Sequence, residues 1–142
     1  MKAERVSICL ATYRRPEQLA ALLDDLLQQT RLPDEIVVID NDSAASARAV
    51  VEALPAHAAC PIRYQVQPEK NISITRNLTV AGASGNWLAF IDDDERAPRA
   101  WLQQLLDARR RHDADGVLGP VLPVIPASAP GWIRRGRFYE WP

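Results

Sequence analysis

The chain has few of the residues that announce soft-metal or imidazole chemistry. Its 142 residues include two cysteines, Cys9 inside an apolar run and Cys60 beside Pro61, and two isolated histidines, His57 and His112. Neither pair has metal-ligand spacing. Two cysteines are also too few for a small secreted disulfide scaffold, so a reducing cytoplasm is the compartment that fits. Charge of one sign is missing as well: 17 basic against 18 acidic side chains leave a formal net charge of -1, which gives no general attraction to nucleic acid. No apolar run approaches the roughly 20 residues that span a bilayer. A phosphate loop, a GxGxxG fingerprint and a GxSxG elbow are all absent, which argues against P-loop, Rossmann and α/β-hydrolase chemistry.

What is present is the composition of a folding domain. Apolar residues make up 47% and charged residues 25% of the chain, too hydrophobic for disorder and long enough for one core. Val6 to Leu10 reads as a strand, followed by a polar loop and a helix with Pro16 at its first position. In that helix Leu19, Leu22, Leu23, Leu26 and Leu27 form one apolar stripe. Ile36 to Ile39 is a second strand, running into Asp40, Asn41, Asp42 and Ser43, with Ser43 placed to cap a helix carrying Ala47, Val50, Val51 and Leu54. A third strand is expected over Ile62 to Val66. A helix over Asn71 to Ala83 should bury Ile74, Leu78 and Ala81, and a fourth strand should cover Trp87 to Ile91. Pro98 suits the start of a further helix, whose end carries Arg109, Arg110 and Arg111. Val117 to Val124 is expected as a fifth strand, edge or bent because Pro120 and Pro123 lack ladder donors. Such alternation predicts an α/β fold, a mostly parallel sheet with helices on both faces, over residues 1–126, with 127–142 an irregular tail.

In open sheets of this kind ligands bind beyond the carboxyl ends of the strands, and three polar clusters fall there. Asp92, Asp93, Asp94 and Glu95 follow the fourth strand directly. If the chain stays extended, Asp92 and Asp94 point the same way and Asp93 points elsewhere. Two convergent carboxylates suit Mg²⁺ or Mn²⁺ in a shell completed by water and phosphate oxygens. Asp40 and Asp42 suit a base N–H or a ribose hydroxyl, although Asp, Asn and Ser are equally ordinary turn residues. Arg76, on an otherwise largely apolar helix, carries a fork of donors suited to a diphosphate, or else is a solvated surface arginine.

Taken in order, ATYRRP at Ala11 to Pro16, VVIDNDS at Val37 to Ser43, NISITRN at Asn71 to Asn77 and FIDDDE at Phe90 to Glu95 resemble the family 2 glycosyltransferases of GT-A fold. GVLGPVLPVIP from Gly116, with Pro130 and Trp132, is similar to the bacterial exopolysaccharide subgroup of succinoglycan-type glucosyltransferases. The resemblance implies a nucleotide-sugar-binding half, with Thr12 and Arg14 bordering the nucleotide, Asp40 or Asp42 on uracil or ribose, and Arg76 near the diphosphate. Asp92 and Asp94 match the family's DxD, which makes Asp94 the principal metal ligand, with Asp92 toward the ribose and Asp93 beside them. It further implies inverting transfer of a hexose, glucose by family preference, from a UDP-sugar to a glycan or lipid-linked acceptor. The family's carboxylate base lies well after the DxD segment, in the acceptor-binding half. Glu140 is the one carboxylate of the tail, and nothing in its setting makes it that base, so the base is left unassigned and the chain is expected to bind donor only. The alternative is a non-catalytic nucleotide-binding or interaction module. Trp132, Arg134, Arg135, Arg137, Phe138 and Trp141 give the tail a basic, aromatic character. It suits peripheral contact with the inner face of an anionic membrane, and equally suits core residues whose partners lie elsewhere.

Overall fold

A computed structural model describes residues 4–55 and 60–136. His57, Arg137, Phe138, Tyr139, Glu140 and Trp141 lie outside the described residues, so the expectations for them have no structural counterpart. The elements run β1 (Val6–Thr12), α1 (Pro16–Leu27), β2 (Glu35–Asp40), α2 (Arg48–Glu52), β3 (Ile62–Val66), α3 (Ile72–Gly82), β4 (Trp87–Phe90), α4 (Trp101–His112) and α5 (Gly131–Gly136). The four strands form a parallel sheet in the order β3-β2-β1-β4.

β1 and β2 are central because both of their faces are apolar enough to be covered. Ile8, Leu10, Ile36 and Val38 point into the main core with the α1 leucines Leu19, Leu22, Leu23 and Leu26, joined by Leu102 and Leu106 of α4. The α1 stripe is as expected, with Leu27 at its half-buried margin. On the opposite face α3 lies against β1 and β2. It buries Thr75 and Thr79, while Ile74 and Leu78 are half-buried and Ala81 exposed. The expected apolar face is therefore rotated. Each threonine hydroxyl bonds back into the helix, Thr75 to the Asn71 carbonyl at 2.8 Å and Thr79 to that of Arg76 at 2.7 Å, which satisfies a polar atom that burial would otherwise penalise. A Cβ on Gly82 would sit 3.1 Å from Val37 Cγ1, so the end of α3 also approaches the sheet closely.

Four expectations are corrected. Ser43 caps nothing: it is exposed, and α2 begins five residues later, at Arg48. The loop is held instead by Asp40, whose Oδ2 accepts the Ala47 N–H at 2.9 Å, and by a left-handed Ala45 at φ 55. The fourth helix starts at Trp101, after a turn closed by Trp101 N–H on the Pro98 carbonyl. Val117 to Val124 forms no strand. Leu118 and Val124 are 99% and 93% exposed, because an apolar run with two prolines becomes a strand only when a neighbour accepts its ladder. The tail is not wholly irregular, since α5 occupies Gly131–Gly136. Among the described residues no helix is long and apolar enough to cross a membrane.

Candidate functional site

Register sets the site. Thr12 pairs with Asp40, so β1 and β2 end level, whereas β4 stops at Phe90 opposite Cys9. The three residues after Phe90 therefore climb toward the level of Thr12. They do not stay extended: the Glu95 N–H closes a turn on the Asp92 carbonyl at 3.1 Å, and Glu95 Oε2 accepts the Asp92 N–H at 3.0 Å. The alternate facing is kept through the turn. Asp93 turns inward and accepts the Thr12 hydroxyl at 2.8 Å in a buried contact, while Asp92 and Asp94 remain exposed.

The β1–α1 loop lies between the two acidic loops and contacts both. Arg14 adopts φ 54, a conformation uncommon outside glycine. Its guanidinium Nε reaches Asp42 Oδ2 at 3.3 Å on the β2 side, and Arg15 turns the other way. A single nitrogen of Arg15 donates to Asp93 Oδ1 at 3.0 Å and to Asp94 Oδ2 at 2.8 Å. From the opposite face of the sheet Arg76 donates to Asp92 Oδ1 at 3.1 Å. That pair stands at a cleft of about 320 Å³ between α3 and the end of β4, with Cys9, Ala11, Thr79 and Phe90 in its lining. Burial pushes the Cys9 thiol above its ordinary range, so it contributes packing here and not a thiolate.

The candidate residues divide by exposure. Arg14, Arg76, Asp92 and Asp94 have side chains between 52% and 64% exposed. Thr12, Asp40, Asp42 and Asp93 are buried, with their polar atoms engaged inside the protein. Asp40 accepts the Asp42 N–H at 3.0 Å, the Ala47 N–H at 2.9 Å and the Tyr64 hydroxyl at 2.8 Å. It organises the β2–α2 loop. Burial together with this bond raises the Tyr64 hydroxyl well above the ordinary phenol range. Burial alone would raise Asp42, but the Ala44 N–H and the Arg14 guanidinium outweigh it and hold the carboxyl below its usual range.

Several residues of the site have no role assigned by the motifs. Asn41 is nine-tenths buried and makes three bonds, its amide nitrogen donating to the carbonyls of Gln67 at 3.0 Å and Glu69 at 2.6 Å, its oxygen accepting the Asn71 N–H at 3.0 Å. Asn71 in turn caps α3 through the N–H groups of Ser73 and Ile74. The helix that presents Arg76 is thus tied to the end of β2. Behind the acidic turn, Arg96 grips Asp25 with two bonds of 2.6 and 2.8 Å, and Gln29 bridges the Pro98 carbonyl and the Leu102 N–H. No group of three or more His, Cys, Asp or Glu among the described residues is gathered around a common metal position.

A family model described as glycosyl transferase family 2 matches residues 7–141. The chain belongs to that family. It is 42% identical over 140 residues to the succinoglycan biosynthesis protein ExoM of Rhizobium meliloti (strain 1021), covering 95% of this chain and 44% of that one. It is 31% identical over 112 residues to the galactofuranosyltransferase GlfT1 of Mycobacterium tuberculosis (strain ATCC 25618 / H37Rv), covering 68% of this chain and 33% of GlfT1. The chain therefore spans less than half the length of these relatives. Among solved structures it superposes on S. aureus TarS with a TM-score of 0.73 at 21% identity, over 89% of this chain and 23% of TarS. It also superposes on TarS 1-349 in complex with UDP-GlcNAc, with a TM-score of 0.68 at 22% identity, over 84% of this chain and 37% of that one. This likeness identifies the fold of this family 2 chain as GT-A.

Proposed function

We propose that this family 2 chain is the donor-binding half of a glycosyltransferase that moves a hexose, glucose in our reading, from a UDP-sugar to a glycan or lipid-linked acceptor with inversion. The product would be an exopolysaccharide or another cell-surface polysaccharide, made on the cytoplasmic side of the membrane. One observation carries this reading: Arg14, Arg76, Asp92 and Asp94, the exposed members of the motifs, crowd the carboxyl ends of β1, β2 and β4. Support also comes from the relatives, one named for succinoglycan biosynthesis, another a galactofuranosyltransferase, and a structural neighbour solved with UDP-GlcNAc.

In this reading the exposed groups meet the ligand and the buried ones hold them. Arg76 exchanges Asp92 for the donor diphosphate, an anion that a guanidinium grips with paired bonds. Arg14 borders the nucleotide, while Asp40 and Asp42 shape the loop on which uracil or ribose rests. Asp94, assisted by Asp92, supplies hard oxygen donors for Mg²⁺ or Mn²⁺. Two exposed carboxylates, with no third such ligand gathered beside them among the described residues, fit a shell that phosphate and water oxygens complete. Such a cation neutralises charge on the departing diphosphate. Thr12 and Asp93 keep the acidic turn at the end of β1. The acceptor's base is assigned to no described residue, so full transfer is proposed for a protein of the relatives' length.

The test is Asp94→Asn. Its exposed side chain predicts unchanged helix content and loss of the Mn²⁺ dependence of UDP binding; a variant that keeps that dependence would remove Asp94 from the metal site.

A further inference from the structure

Arg15 belongs to none of the contacts expected from the motifs, yet it makes the tightest link between the central loop and the acidic turn. Its bridging nitrogen lies 2.8 Å from Asp94 Oδ2, the oxygen donor on which the proposed metal site depends, and 3.0 Å from buried Asp93. The two carboxylates differ in what else holds them. Asp93 is buried and also accepts the Thr12 hydroxyl, whereas Asp94 is half exposed and has no further hydrogen bond or ion pair among the described residues. A competing cation would therefore take Asp94 from Arg15 more readily than Asp93.

We infer that Arg15 is a positioning residue that stands in for the cation. With no divalent ion bound its guanidinium neutralises Asp94 and pins it against Asp93; when the ion arrives, Arg15 gives up Asp94 and keeps Asp93. The acidic turn is thereby prearranged without three carboxylates repelling one another, at the cost of a weaker hold on metal. This inference rests on the assignment of Asp94 to the metal site. Each consequence concerns a half-exposed ion pair, so the penalty on metal binding is modest, about two- to fivefold in affinity.

The experiment is calorimetric titration of the chain with UDP at a series of Mn²⁺ concentrations, for the unsubstituted protein, Arg15→Met and Arg15→Lys. Arg15→Met keeps the unbranched apolar stem of the side chain and removes the competitor, so the Mn²⁺ concentration giving half the gain in UDP affinity should fall about two- to fivefold, while UDP affinity with the metal chelated stays unchanged. Arg15→Lys retains the charge and should stay near the unsubstituted midpoint. Should Arg15→Met fail to fold, Arg15→Gln makes the same prediction with a neutral donor in place. A midpoint that is unmoved or raised in the neutral variant overturns the role of Arg15 while leaving the metal site standing. UDP binding that ignores Mn²⁺ in every protein overturns the metal assignment itself.

Discussion

Replacing Asn41 by aspartate should turn a silent structural amide into a pH-dependent defect. The amide nitrogen faces two carbonyl oxygens, at 3.0 and 2.6 Å, and the side chain is nine-tenths buried. Asn41→Ala forfeits three hydrogen bonds, about 1 kcal/mol each, so about 3 kcal/mol in all, with no dependence on pH. Asn41→Asp keeps the bond to the Asn71 N–H but sets a carboxylate oxygen against both carbonyls. The ionised form is disfavoured, so the folded-state pKa of the new carboxyl rises above its unfolded value of about 3.9. A raised pKa means that the folded protein binds more protons, and stability therefore increases as pH falls, until the unfolded value is passed. The slope is at most about 1.4 kcal/mol per pH unit, and protonation at about pH 7 limits the total penalty to roughly 4 kcal/mol beyond one lost bond. Urea unfolding of both variants between about pH 7 and about pH 5 reads this directly, with a recovery of up to about 2.7 kcal/mol for aspartate relative to alanine. Parallel pH profiles for the two variants would refute the account of Asn41 as the donor that ties the end of β2 to the carbonyls of Gln67 and Glu69.

Three further outcomes follow from the same geometry. Burial would raise the Glu35 carboxyl, but the Ser7 hydroxyl, the Ser84 N–H and hydroxyl, and Arg63 outweigh it and hold its pKa below the ordinary value. The stabilisation is thus present above that value and lost as pH falls through the folded pKa, so Glu35→Gln should flatten the acid limb of an unfolding-against-pH curve, and an unchanged limb would contradict it. A Cβ at position 85 would lie 2.7 Å from both the Arg5 carbonyl and Ser7 Oγ, so Gly85→Ala should cost about 1–3 kcal/mol in urea unfolding, and a neutral result would mean the α3–β4 turn is free to move. Arg76→Ala should weaken UDP binding about tenfold or more, as loss of a charge-assisted bond would, with α3 intact by circular dichroism; equal affinity would separate Arg76 from the diphosphate.

Much of this was legible in the chain because the decisive signals are local. The α1 leucines repeat at helical spacing, and β1 and β2 read as continuous apolar runs because both of their faces are covered. Val117 to Val124 carries a similar run and forms no strand, since strand formation needs a partner edge that no local pattern reports. Thr75 and Thr79 look polar in sequence, yet their hydroxyls bond within α3 and leave only methyl groups and backbone to pack. At the site, the motifs marked loops that the sheet brings to its carboxyl end, but not which of their polar side chains are buried. The turn closed by Glu95 sends Asp93 inward and leaves Asp92 and Asp94 exposed, so the alternate facing expected of an extended chain is kept although the chain turns. Asp40 and Asn41, which resemble ordinary turn residues, turn out to be buried anchors. Arg15 was invisible because its meaning depends on strand order: β1 lies between β2 and β4, so neighbouring arginines reach acidic loops on opposite sides.

The most direct measurement is calorimetric titration of the unsubstituted chain with UDP, first with Mn²⁺ present and then with the metal chelated. Saturable binding that needs the metal is the expected result for a donor half-site built on Arg76 and Asp94; absence of binding in both conditions would contradict the assignment of a nucleoside diphosphate to the carboxyl end of this sheet.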